Sequence, residues 1–132
     1  MIVRALQGAF WGAVLVVAAL LGGSAGARAQ DAQFLSTIDD LPLMPGLTED
    51  ADRSVVFDAP SGRLVESFAT GAMGQDEVIA FYARTLPQLG WRADDGARYV
   101  REGEVLVLEF ARRGPTLTVR FALAPLDAAG RQ

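Results

Sequence analysis

Between Gly74 and Trp91 the chain reads GQDEVIAFYARTLPQLGW, and apolar residues recur there at three- and four-residue steps. Val78, Phe81, Tyr82, Leu86 and Leu89 fall on one side of a 3.6-residue helix, with Gln75, Glu77, Ala83 and Arg84 on the other. Such a helix has one dry and one wet face, and the dry face is expected to lie on a sheet. Gly74 reads as the N-cap. Asp76 and Glu77 then sit in the first turn, where unpaired N–H groups favour negative charge. Pro87 removes a helical donor, so the last turn should kink or tighten. Gly90 is the natural stop because glycine accepts positive φ. Phe81 is expected to be buried against the sheet, and Phe81→Ala to cost roughly 3–5 kcal/mol. Tyr82 should pack by its ring with its hydroxyl on a polar partner, and Trp91 should fold back under the helix end.

The pattern changes to a period of two on both sides of this helix. Residues 54–58 (SVVFD) and 63–70 (RLVESFAT) read as a hairpin around Ala59-Pro60-Ser61-Gly62. In the second strand Leu64, Glu66 and Phe68 share one side, and Val65, Ser67 and Ala69 the other. That alternation does not reveal which side faces inward. After the helix, residues 91–93 begin a strand that turns at Asp94-Asp95-Gly96 and returns over 97–101. Residues 104–112 follow, with Leu106, Leu108 and Phe110 on one side. Residues 116–124 close the sheet, with Leu117, Val119, Phe121 and Leu123 in and Thr118, Arg120 and Ala122 out. The expected class is α+β: an antiparallel sheet in β-β-α-β-β-β order with one helix on one face. The other face is left wet, or covered by the preceding segment or a partner.

Two stretches before the hairpin are not periodic in this sense. Residues 1–29 read as a signal peptide: Arg4, then an uncharged apolar run from Ala5 to Gly23, then Ala27-Arg28-Ala29 before a cut that leaves Gln30 first. The alternative is a retained membrane anchor, since residues 6–26 approach the ~20 needed to span. Residues 30–53 form an extended lead-in. Phe34, Leu35 and Ile38 suggest one side of a short helical turn. Pro42, Pro45 and Gly46 forbid a regular helix and predict a turn at Pro45-Gly46. Packing of this segment on the domain's own edge is the commoner use, and an exposed docking strip the functional one. The partition is thus signal 1–29, lead-in 30–53, domain 54–125 and a frayed tail 126–132.

The MPG turn, the DEVIAFYARTLPQLGW helix, a tyrosine strand and a meander together resemble a pattern of small exported bacterial domains of unknown function. The resemblance spans residues 41–125, and its most recognisable pairs are Phe81-Tyr82 and Gly90-Trp91. It implies a fold and an envelope location, but neither an activity nor any functional residue.

Composition narrows the chemistry. There are 12 basic and 16 acidic residues. Removing Arg4 and Arg28 with the signal leaves 10 against 16, a net charge of −6. An acidic domain does not attract nucleic acid. The absence of His and Cys removes Ser-His and Cys-His nucleophiles, the usual zinc, haem and iron–sulfur ligands, and any disulfide. There is no Lys and no phosphate-cradling glycine loop. The remaining candidates are carboxylate clusters and aromatics. Asp39-Asp40 and Asp94-Asp95 read as solvated turn residues. Glu49-Asp50-Asp52 falls short of a calcium loop. Trp91, Tyr82 and Tyr99 form either core or a ligand platform. No catalytic, cofactor or metal residue is assigned. The expectation is a non-catalytic envelope module that binds a protein or cell-envelope component, meeting the membrane only through a retained N-terminal segment. A small carboxylate-dependent hydrolase or ligand carrier is the alternative.

Overall fold

The structure, a computed structural model, describes residues 32–129. The signal-peptide or anchor reading of residues 1–29 therefore lies outside the described residues.

Seven antiparallel strands form one sheet. They are β1 (Thr48–Glu49), β2 (Val55–Ala59), β3 (Gly62–Gly71), β4 (Arg92–Asp95), β5 (Arg98–Arg101), β6 (Glu104–Arg113) and β7 (Thr116–Pro125). The helix α1 (Gln75–Thr85) joins β3 to β4. The order is β-β-β-α-β-β-β-β, a correction to the β-β-α-β-β-β expectation. The lead-in supplies the extra first strand, and the two arms expected over 91–101, which that order counted as one, are the separate strands β4 and β5. Across the sheet the order is β1-β3-β7-β6-β5-β4, and β2 shares with β1 the same edge of β3. A 3-10 turn at Ala51–Arg53 separates β1 from β2.

Register decides the faces. Val65 pairs with Leu123, Ser67 with Phe121 and Ala69 with Val119. Leu106 and Leu108 pair with Leu123 and Phe121 from the other side, and Tyr99 pairs with Leu106. All of these side chains are buried on one face. In β3 it is therefore the Val65-Ser67-Ala69 set that points inward, the question its alternation left open.

The helix lies on this inner face, as predicted, but by a stripe rotated from the expected one. Val78, Tyr82 and Leu86 have no exposure, whereas Phe81 is only partly buried at the margin. The Phe81 expectation is corrected accordingly. Adjacent residues stand about 100° apart on a helix, and the centre of the stripe passes through Tyr82. Phe81 instead packs edge-on against the Tyr82 ring, with centroids 4.9 Å apart. The helix ends as the sequence predicts. Leu86–Leu89 tighten into a 3-10 turn containing Pro87, and Gly90 stops it with φ +88°. Trp91 is buried beyond it, with the Arg101 guanidinium 4.4 Å over its ring.

The lead-in is part of this inner layer. Leu35, Ile38, Leu41, Leu43 and Leu47 are all buried and join the same core as the helix and the inner sheet face. No helical turn forms at Phe34. That residue is exposed and bridges Pro42 instead, because the two prolines hold the chain extended. The turn at Pro45-Gly46 is present, with Gly46 at φ +95°. The lead-in passes so close to β3 that a Cβ on Gly71 would stand 2.7 Å from the Gly46 carbonyl oxygen. Past Pro125, where the sequence predicts a frayed tail, Leu126–Ala129 make a single helical turn α2, and the Leu126 N–H bonds the Gly103 carbonyl at 2.8 Å.

Candidate functional site

Helix and lead-in both occupy the inner face, so neither covers the outer one. The outer side chains are Leu64, Glu66 and Phe68 of β3, Thr118, Arg120, Ala122 and Ala124 of β7, and Val105, Val107 and Glu109 of β6. All of them except Phe68 and Thr118 line an open trough of about 560 Å³. Leu64, Val105, Val107, Ala122 and Ala124 supply its apolar lining, and Val55 and Phe57 of β2 stand along one side. Val55, Val56 and Phe57 are 57%, 43% and 60% exposed, an unbroken apolar run in solvent. Arg98 of β5 also borders the trough, and its Nε donates to Asp94 at 2.8 Å.

One charged group crosses the trough. Arg120 of β7 donates through Nη2 to Glu66 of β3 at 2.6 Å and through Nη1 to Glu109 of β6. Glu109 is its direct cross-strand partner, and Glu66 is a diagonal one. The Glu66 bond is the largest influence and raises the guanidinium pKa above its usual value; burial opposes it, and the Glu109 bond adds a smaller rise. Two carboxylates against one guanidinium leave this part of the trough with a formal charge of −1.

The clusters singled out from sequence meet different ends. The three members of Glu49-Asp50-Asp52 do not converge. Glu49 instead accepts from the Ser36 N–H at 3.0 Å, the Ser36 hydroxyl at 2.9 Å and the buried Ser67 hydroxyl at 3.3 Å. It ties the lead-in to β3, an internal polar clamp in place of a cation loop. Among the described residues no group of three acidic side chains could hold a metal ion. Asp39 and Asp40 are exposed at a turn, with Asp40 at φ 60°. Tyr82, Trp91 and Tyr99 are buried, which closes the aromatic-platform reading. Tyr82 donates its hydroxyl to the Pro42 carbonyl at 2.8 Å and accepts the Met44 N–H at 3.2 Å. Burial raises its pKa strongly, with the Met44 bond opposing, and burial raises that of Tyr99.

Glu66, Glu109 and Arg120 were not candidates in the sequence. Arg120 and Glu109 are visible there as polar residues opposite an apolar row, and Glu66 lies on a strand whose outward side the alternation leaves open; they come from three strands, and only the register joins them. Among the described residues no helix is long and apolar enough to cross a membrane. Comparison with protein-family models, curated proteins and solved structures gives no match.

Proposed function

We propose that this chain is an exported, non-catalytic binding module of the bacterial cell envelope, and that it docks a protein or other envelope component on the outer face of its sheet. The observation that carries the reading is the one-sided packing. The helix and five lead-in side chains lie on the inner face, while the outer face keeps an apolar trough flanked by exposed Val55 and Phe57. Exposed apolar surface of this kind marks interaction sites more often than it occurs by chance. The export part rests on Arg4, the apolar run after it and Ala27-Arg28-Ala29, and on the resemblance to small exported domains. A small-ligand carrier is the second reading, favoured by a trough volume of about 560 Å³, within the range of ligand pockets.

The test is a photo-crosslinking residue placed at Val107 on the outer face, or at Arg84 on the exposed side of α1, in the protein expressed in its native host. The expected result is a discrete adduct from Val107 and none from Arg84, on a protein recovered outside the cytoplasm. Equal labelling at both positions, or recovery of the chain from the cytoplasm, contradicts the proposal.

A further inference from the structure

We infer that the free edge of β2 takes up an extended segment of another protein, one that alternates apolar side chains and carries a basic residue. The inference rests on the outer-face docking reading and specifies how a partner reaches that face.

The sheet has two ends, and they differ. At one end, β4 is four exposed residues, Arg92-Ala93-Asp94-Asp95, with its register broken between Ala93 and Asp95. Charge and a bulge are the usual means of stopping an edge from pairing. At the other end β2 is bonded to β3 on one side only. Its Val55-Val56-Phe57 run has no charge, no proline and no bulge. A two-residue turn at Pro60-Ser61 pairs Ala59 with Gly62. In such a hairpin Ala59, Phe57 and Val55 turn their amide groups to β3. Val56 and Asp58 therefore turn theirs away, as a row available to another strand.

The side chains define the partner. Residues of an added strand that face Val55 and Phe57 project onto the outer face, beside the apolar wall of the trough, so every second position is apolar. Val55 pairs with Glu66 on its other side. Glu66 shares Arg120 with Glu109, and the neighbouring Arg53, 4.2 Å over the Phe68 ring, is matched by Asp50 at 4.0 Å, so a basic side chain reaching inward over Val55 toward Glu66 meets the one remaining negative charge. The chain as a whole carries −4, which steers a basic segment toward it. A second copy of the chain fits less well. It would bring an equal negative charge and its own Asp58 to the same edge.

The experiment uses the full chain and two synthetic twelve-residue peptides of alternating valine and threonine, one with two central arginines and one with two central glutamates, measured by fluorescence anisotropy. The arginine peptide should bind and the glutamate peptide should bind at least about tenfold more weakly, with the difference shrinking in salt. Val56→Pro removes an N–H that β3 does not use, so the fold and melting temperature should hold while arginine-peptide binding falls about tenfold or more. Binding that survives Val56→Pro unchanged overturns strand addition but leaves outer-face docking standing, as judged by the Val107 crosslink. Failure of both peptides to bind overturns the inference. So does a dimer in sedimentation that Val56→Pro converts to monomer, since the edge would then belong to a second copy.

Discussion

A chain cut back to residues 54–125, the span that strand and helix periodicity alone would define as the domain, is expected not to fold. The cut removes Leu35, Ile38, Leu41, Leu43 and Leu47, all buried in the common core. Burial of such a side chain stabilises by about 1.5–3 kcal/mol, so five contribute on the order of 8–15 kcal/mol, comparable with the whole stability of a domain. The cut also strips β1 from β3 and leaves the buried Ser67 hydroxyl without Glu49. The Tyr82 hydroxyl loses both its partners in the same step. Circular dichroism and a denaturant melt should show no cooperative transition for residues 54–125 and a single one for residues 32–129. A cooperative melt of the shorter chain near that of the longer would show that the lead-in is not core.

Tyr82→Ala is expected to cost about 3–5 kcal/mol, and Phe81→Ala only about 1–2 kcal/mol. Tyr82 is fully buried, packs edge-on against Phe121 with centroids 5.4 Å apart, and satisfies two lead-in backbone groups. Phe81 sits at the rim of the core. Equal costs, or a larger one at Phe81, would place the helix on the sheet by the other stripe. The same tyrosine sets an alkaline limit. Its folded pKa lies above the ordinary value because burial penalises the phenolate. Above about pH 10 the unfolded chain therefore loses the proton first, and stability falls as pH rises toward the folded value. Below pH 10 this contribution is complete, and with no histidine in the chain the profile should be flat from pH 5 to 8. Melts across pH 8–11 should show a steeper alkaline fall for the native chain than for Tyr82→Phe.

Local chemistry made part of this architecture legible. Pro87 and Gly90 fix the end of α1 through a missing donor and a positive φ, and β7 alternates so regularly that its inner row can be read directly. The α+β class follows from these features. The faces of β3 were not legible, because Leu64 and Phe68 compete with Val65 and Ala69, and only pairing with β7 decides between them. Phe81 and Tyr82 are one step apart on the helix. Their ranking depends on lead-in carbonyl and amide groups waiting for a hydroxyl, which no period encodes. The lead-in itself has no period, so its place in the inner layer is a tertiary fact. So is the outer trough: Glu66, Arg120 and Glu109 meet only when β3, β7 and β6 lie side by side. The Glu49-Asp50-Asp52 cluster that closeness in sequence brought forward came apart for the same reason, and Glu49 went to Ser36 and to Ser67 of β3.

The central claim is that one sheet face is packed and the other open. The chain has no cysteine, so a single introduced thiol reports on one position alone. Thiol labelling of Ala122→Cys on the outer face and Val119→Cys on the inner face, under native conditions, tests the claim most directly. Ala122 is partly exposed, so the account predicts that Ala122→Cys reacts in the folded state, far faster than the domain unfolds, at a rate insensitive to low denaturant. Val119→Cys should react only as fast as the whole domain unfolds. Protection of Ala122→Cys in the isolated chain to the level of Val119→Cys would contradict the account, because the outer face would then already be covered.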